Sequence, residues 1–497
     1  MKRNKFSLSY TKLLSCDMGE LVPFGLTEVL PGDTVQQATS ALIRCSPLLA
    51  PVMHPVRVRI HHWFVPHRII WDDWENFITG GPDGDSVPDF PVIESPASVG
   101  FPVGSLADYL GVPIGVPNLE VSALPFRAYA LIFNEWYRDQ DLVTPLTISK
   151  ASGADTTTNT TLQNVAWEKD YFTSSRPWTQ KGPEVTVPIG TQAPIERVNA
   201  TGNGVRVYNA TTNALFSGSA GALSSDSSGV GYVQSGSNPP FNLDPNGSLY
   251  ADLSLAEGVS INTLREAFAL QRYEEARARY GSRYTEYLRY LGVRSSDARL
   301  QRPEYLGGGK QTIQFSEVLQ TGPGTDDEGV ATLRGHGIGA VRSNRYRRFF
   351  EEHGYVITML SVLPKTIYAQ GLARHWNRRT KEDFFQKELQ HIGQQEVLYK
   401  EVYAAHSTPD ATFGFQDRYD EYRRSESSIA GEFRTILDYW HYARIFASDP
   451  ALNADFVKAV PTKRTNASTD QDCLYIMASH SIQARRIVAA NGSSFIY

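Results

Sequence analysis

The stretch PVRVRIHHWFVPHRIIWDDWENFITGG, Pro55–Gly81, decides how the chain is read. Its first half alternates. Val56, Val58, Ile60, His62 and Phe64 fall on one face, and Arg57, Arg59, His61 and Trp63 on the other. A period of two, rich in β-branched and aromatic residues, predicts a strand with one apolar and one mixed face. Pro66 has no N–H to give a ladder, so the strand should stop there. The period then changes: Ile70, Trp71, Trp74, Phe77 and Ile78 stand at helical spacing, and Gly80-Gly81 supplies a stop.

The pattern continues on both sides. Thr34–Cys45 predicts a strand with Val35, Gln37, Thr39, Ala41 and Ile43 on one face. Tyr355–Val362 predicts a buried strand, while Phe433–Val460 and Cys473–Ala490 predict closing strands and turns. Helices are expected at Leu124–Arg138, with Pro125 in its first turn, at Ile261–Tyr280 with Asn262 as cap and Gly281 as stop, and at Ser282–Leu291. A further helix is expected over Thr380–Gly393, opened by a Thr380/Asp383 capping box with Phe384, Phe385, Leu389 and Ile392 inward. Gly80–Gly104, Gln301–Gly309 and Gly322–Gly339 read as loops. Short strands joined by long, partly helical excursions suit a mainly β sandwich or jelly roll better than a parallel α/β sheet.

Composition narrows the function. The 497 residues are 41% hydrophobic and 11% aromatic, enough for a large core. No apolar run reaches the roughly 20 residues of a transmembrane helix, so membrane insertion is not expected. Cys16, Cys45 and Cys473 are far apart and form no CxxC, which points to reduced thiols and away from a disulfide framework or zinc site. The net charge of −5 excludes a protein that coats DNA by overall charge, so any nucleic-acid contact is local.

Catalytic and cofactor signatures are missing. GGGKQT (Gly307–Thr312) fails the phosphate-loop pattern at Glu304 and Gln311, and Gly335, Gly337 and Gly339 fall short of a dinucleotide fingerprint. His61 and His62 are neighbours on a strand and point to opposite faces, so they cannot share a metal. No cofactor or metal and no enzyme is expected. A carboxylate pair of the glycosidase kind is defined by a distance in space, so a β-sandwich carbohydrate-binding protein or glycosidase stays open, as does a single-stranded-DNA-binding module.

Three basic groups are candidates for single-stranded DNA. Lys2, Arg3 and Lys5 belong to an N-terminal arm (residues 1–20) that is either a frayed terminus or a basic strand facing nucleic acid. Arg342, Arg345, Arg347 and Arg348 surround Tyr346, and Arg374, Arg378 and Arg379 flank Trp376. Arginine among aromatics grips single strands, cations on phosphate and rings on bases. The competing reading pairs them with Glu351, Glu352 and Asp383 or uses them between subunits.

Eight blocks carry a resemblance: ELVPFGLTEVLPGD (Glu20–Asp33), WFVPHRIIWDDWENF (Trp63–Phe77), LPFRAYALIFNEWYRDQDL (Leu124–Leu142), YFTSSRPWTQKG (Tyr171–Gly182), Ile261–Leu288, RLQRPEYLGG (Arg299–Gly308), EEHGYVITMLSVLP (Glu351–Pro364) and FGFQDRYDEYRR (Phe413–Arg424). In this order they resemble the major capsid protein of the microviruses, the small icosahedral single-stranded-DNA phages, and most of all the gokushovirus branch. The resemblance implies one capsid domain over residues 1–497, an eight-stranded antiparallel jelly roll with long, partly helical insertions. It implies about sixty copies in a T=1 icosahedral shell around a circular single-stranded genome. It further implies a small basic internal DNA-binding protein and a minor or pilot protein as virion partners, a glycan or protein receptor on the host, and assembly in the bacterial cytoplasm. The Gly/Ser/Thr/Asn-rich segment 182–249, with β-type runs EVTVPI and VRVYNATTNALF, sits where such capsids carry a protrusion at the threefold axes. Aromatic stripes then become candidates for subunit contact: Trp71, Trp74, Phe133, Trp136, Tyr137, Phe268, Tyr273, Tyr280, Phe384 and Phe385.

Overall fold

A computed structural model describes the chain apart from residues 1–2, 282, 322–328, 330 and 491–497, and apart from most of 184–260, where chiefly short strands are described. The chain divides into two compact units, Met1–Thr179 with Arg277–Tyr497, and Gln180–Ala276.

The first unit is built on one curled antiparallel sheet of ten strands. They are β1 (Asn4–Ser7), β2 (Tyr10–Cys16), β3 (Val22–Val29), β4 (Thr34–Cys45), β5 (Val56–Pro66), β6 (Glu304–Leu319), β7 (Leu333–Arg342), β8 (Tyr346–Phe349), β9 (Gly354–Pro364) and β10 (Leu474–Arg486). The order is β1-β10-β4-β7-β6-β5-β9-β3, with β2 also on β10 and β8 on β4. This is the antiparallel jelly-roll class that the strand patterns indicate, with N-terminal strands β1 and β2 added along β10. Within the basic N-terminal segment, Asn4–Ser7 and Tyr10–Cys16 are strands of the sheet: Lys5 pairs with Arg485, and Tyr10–Cys16 runs along Leu474–His480.

The sheet curls because β6 belongs to both halves. Glu304–Ile313 pairs with β5, and Gln314–Leu319 pairs with β7. The sequence pattern predicts loops here, and the structure corrects that. These glycines sit in strands because backbones pass too closely for a side chain: a Cβ on Gly309 would lie 2.4 Å from the Arg342 carbonyl oxygen, and one on Gly335 2.1 Å from that of Ala50. Pro23 in β3 lies at the sheet edge, where a missing N–H is tolerated.

Inside the curl, strand after strand reads apolar, polar, apolar. One cluster gathers Ala41, Ile43, Val58, Ile60, Leu360, Val362, Leu474 and Ile476; the other gathers Val35, Phe64, Val356, Phe350 and Ile482. Between them lies a belt of Gln37, Thr39, His62, Ser343, Thr358 and His480, all buried. His62 bonds Thr358 Oγ1 (Nδ1, 3.0 Å) and Ser343 Oγ (Nε2, 2.9 Å). Gln37 Nε2 donates to Thr358 Oγ1 at 3.2 Å, and Tyr346 Oη donates to Gln37 Oε1 at 2.8 Å. His480 meets Thr39 Oγ1 at 3.0 Å and the Phe24 carbonyl at 3.2 Å. Each polar atom named has a partner, as burial demands.

Helices cover the outer face of β5, β9 and β3. Trp71, Leu124, Phe126, Tyr129, Ile132 and Phe133 pack there with Trp63, Val65, Ile357 and Met359. The helix after β5 is shorter than its spacing predicts: α1 is Trp74–Thr79, and Ile70 and Trp71 fall in the preceding turn. Gly80, at φ 80°, ends it as expected. After α2 (Leu106–Leu110) comes α3 (Leu124–Ile132), which continues as a π-turn through Tyr137. Arg127 on α3 is fully buried; Nε donates to Asp155 at 2.8 Å and Nη2 to the Ala151 carbonyl at 2.9 Å.

Two predicted elements are overturned. Thr380–Gly393 is no helix: only the turns Lys381–Asp383 and Leu389–His391 form, and Phe384, Phe385 and Ile392 point to solvent. The capping contact exists, with Thr380 N donating to Asp383 Oδ2 at 2.8 Å, but it closes a single turn. Phe433–Val460 holds turns and the short helix Ala454–Val457, without a strand.

In the second unit the described strands are short antiparallel pairs: Ile195–Arg197 with Leu249–Ala251, Tyr208–Asn209 with Phe241–Asn242, and Leu223–Ser225 with Gly231–Val233. Most of the EVTVPI run lies outside the described residues. Helix α4 (Ile261–Tyr280) begins one residue before its expected cap Asn262, and Gly281 follows it at φ 92°. Helix α5, Tyr284–Tyr290, belongs to the first unit.

Candidate nucleic-acid interface

The half of the sheet formed by β1, β2, β10, β4, β8 and β7 buries one face in the core and turns the other outward, where most side chains are exposed or partly exposed and Ala38 is buried. Alternation fixes which side chains are outward. They are Lys5 and Ser7 on β1; Thr11, Leu13 and Ser15 on β2; and Tyr475, Met477, Ser479, Ser481, Gln483 and Arg485 on β10. On β4 they are Gln36, Ala38, Ser40, Leu42 and Arg44; on β7, Arg334, His336, Ile338, Ala340 and Arg342; on β8, Arg347 and Phe349. None of these positions is Asp or Glu. In a chain with 53 acidic residues against 48 Lys and Arg, strand positions of one sheet face without a carboxylate are a concentrated exception; Asp472, at the edge beside β10, accepts from Ser15 Oγ.

Strand pairing lays these residues in rows. One row is Lys5–Arg485–Thr34–Phe349, another Thr11–Ser479–Ser40–Arg342, the next Leu13–Met477–Leu42–Ala340, and the last Ser15–Tyr475–Arg44–Ile338. Lys5 directly opposite Arg485 is a like-charge cross-strand pair, which costs roughly 0.2–1 kcal/mol unless an anion sits over it. Lys5, Arg44, Arg342, Arg347 and Arg485, with Arg345 in the β7–β8 turn, are exposed and have no carboxylate partner among the described residues. The opposite lysine of this sheet points the other way: Lys12 donates to the Tyr109 carbonyl inside, and burial lowers its pKa.

The structure sorts the predicted DNA residues. Arg342 and Arg347 share this face with Lys5, and Arg345 is exposed in the turn between them. Arg3 stands at its corner, bonding the Gly32 carbonyl at 2.9 Å and lying 5.5 Å from the Phe349 ring centroid. Tyr346 is turned into the core and Arg348 pairs with Glu304 at 2.7 Å, so neither is available to a strand. Two arginines of the second cluster are paired with carboxylates within the chain. Arg374 pairs with Glu401 at 2.9 Å and Arg378 with Glu421 at 3.6 Å, while Arg379 bonds the carbonyls of Trp376 and Arg378. Trp376, at 64%, and Arg379 remain exposed. Lys2 lies outside the described residues. Sequence reading missed Arg44, Arg485 and the hydroxyl rows of β2, β4 and β10. The signal was present in Thr34–Cys45, whose outward set is Gln36, Ala38, Ser40, Leu42 and Arg44, but only pairing shows that neighbouring strands match it.

The predicted contact aromatics also divide. Trp71 and Phe133 are core residues of the chain, 0% and 4% exposed, and cannot meet a neighbour. Trp74, Trp136 and Tyr137 are half-buried against the same core. Phe268, Tyr273, Tyr280, Phe384 and Phe385 are exposed. Among the described residues no group of His, Cys, Asp and Glu is placed to hold a metal ion, and no helix is long and apolar enough to cross a membrane.

Comparison with known proteins adds an independent line. A family model described as "Capsid protein (F protein)" matches residues 1–489. Capsid protein VP1 of Bdellovibrio phage phiMH2K is 39% identical over 483 residues, covering 95% of this chain and 90% of that protein. Capsid protein VP1 of Chlamydia phage 1 is 33% identical over 549 residues, covering 95% of this chain and 92% of its own length. VP1 of Spiroplasma virus 4 is also 33% identical, over 92% of this chain and 87% of that protein.

Proposed function

Since the chain belongs to the phage capsid protein (F protein) family, with gokushovirus relatives, and is a structural capsid protein of the virion rather than an enzyme, we propose that its acid-free sheet face lines the shell and meets a packaged single-stranded DNA genome. The observation that carries this reading is the row-by-row absence of Asp and Glu from the strand positions of that face, where Lys5, Arg44, Arg342, Arg347 and Arg485 are exposed without a carboxylate partner among the described residues. A polyanion offsets the repulsion among them, and each phosphate contact releases a counterion. In this reading about sixty copies close into a T=1 icosahedral shell around a circular genome, assembled in the host cytoplasm. A small basic internal protein would share the neutralising of the DNA, since one face per copy carries few cations, and a minor or pilot protein would complete the virion. Segment 182–249 would form the threefold protrusion and contribute to attachment to a glycan or protein receptor. Exposed Phe268, Tyr273, Tyr280, Phe384 and Phe385 supply apolar contact between copies.

Sedimentation of particles from cells expressing the chain, with electron microscopy of the same fractions, tests the shell. Uniform round megadalton particles are expected. A stable monomer that never assembles, even with the phage's other proteins, would refute it. Replacing Arg342 and Arg347 by Gln should lower the nucleic acid recovered per particle without lowering particle yield.

A further inference from the structure

The basic face is not uniformly polar. Across its middle runs one wholly apolar row, Leu13–Met477–Leu42–Ala340, on four adjacent strands. Leu13 is 75% exposed and Met477 47%, although alternation could have placed serine there as it does one row away. On one side the next row ends in Arg342; on the other it holds Tyr475 and Arg44. Same-face neighbours along a strand are about 7 Å apart and strands about 4.8 Å apart. The apolar row is thus roughly 14 Å long, with a guanidinium on either flank within one side-chain length.

We propose that this row is a base-contact strip: bases of single-stranded DNA lie on Leu13, Met477 and Leu42, extended by the Tyr475 ring, while their phosphates run over Arg342 or Arg44. The proposal rests on reading the face as the genome contact and names what that contact recognises. A shell protein seated here would need acids to answer the arginines and would leave the serine rows unused. Duplex DNA presents phosphates but hides its base faces, so it meets the arginines and leaves the strip uncovered. An unpaired strand satisfies both rows at once. Because a π-face is common to every base, the contact should be indifferent to sequence.

The test uses the unassembled full-length chain and three fluorescent probes of equal phosphate number, about twelve nucleotides long: oligo-dT, an abasic strand and a duplex. Oligo-dT should bind about tenfold more tightly than the abasic strand, with the duplex close to the abasic value. L13S/M477S, both surface changes, should erase the oligo-dT advantage while leaving the abasic affinity in place. R342Q/R347Q should weaken all three probes alike and flatten the salt dependence. Equal wild-type binding of oligo-dT and abasic strand, or a strip variant that weakens both equally, overturns the base-contact strip and leaves the genome-facing reading standing. Unchanged binding in R342Q/R347Q overturns that reading itself.

Discussion

Mild acid should loosen this protein from the inside, through the polar belt. His62 and His480 are fully buried, and burial lowers their pKa from 6.5 to about 3 and about 4. The groups facing them are Thr39, Ser343, Thr358, Tyr346 and Gln37, together with Tyr10 and Phe24, and the nearby charges are Lys12 and the other histidines. No carboxylate stands ready to receive an imidazolium. Both pKa values are lower in the folded chain than in the unfolded one, so the unfolded state takes protons first as pH falls. Stability is therefore complete above about pH 6.5, declines below it, and levels off only near the folded values. At pH 5, about 1.5 units below the unfolded value, each histidine costs about 2 kcal/mol, and the pair about 4 kcal/mol. Buried His54 and His67, each lowered to about 4, act in the same direction. Urea unfolding followed by tryptophan fluorescence at pH 7.0 and 5.0 measures the loss. H62N and H480N keep a hydrogen-bonding side chain that does not titrate, and each should remove about 2 kcal/mol of the difference between the two pH values. A wild-type midpoint unmoved between them, or an H62N protein with the wild-type difference, would refute the reasoning.

Other predictions follow from particular contacts. R127A leaves the buried Asp155 carboxylate uncompensated and should cost about 3–5 kcal/mol, seen as loss of soluble folded protein. G335A should destabilise by about 1–3 kcal/mol because its Cβ meets the Ala50 backbone, whereas a loop at this position would tolerate it; thermal melts decide. F384S/F385S removes two exposed rings, so the subunit's melting temperature should stay put while particle yield drops in sedimentation.

Period-two runs were readable wherever a strand buries one whole face. Thr34–Cys45 ends where its pattern does, and Val56–Pro66 stops at its proline. The runs that failed are those whose reasons lie elsewhere in space. Gly307–Gly309 and Gly335–Gly339 look like loops because glycine is a turn residue, yet here it lets strands cross closely. Thr380–Gly393 has helical spacing but too few neighbours to bury it, and propensity without packing does not hold a helix. The DNA candidates failed in a similar way. Arginine beside aromatic was legible, but Glu401 and Glu421 lie more than twenty residues from Arg374 and Arg378, and only folding brings them together. Arg44 and Arg485 were invisible singly, because a charged face shared by several strands is written one residue at a time.

The belt of Gln37, Thr39, His62, Thr358 and His480 also acts as a set of alignment marks. In an all-aliphatic interior, a strand could slide by two residues and find an equivalent seat. Here such a slip moves His62 against Ile or Phe side chains and leaves Thr358 and Ser343 facing hydrocarbon, with unpaired polar groups at about 1–3 kcal/mol each. The penalty applies equally to a strand borrowed from another copy in the wrong register. For a protein made in many copies in one cell, where exposed strand edges of half-folded chains meet often, the belt rejects out-of-register pairings while they are still few residues long.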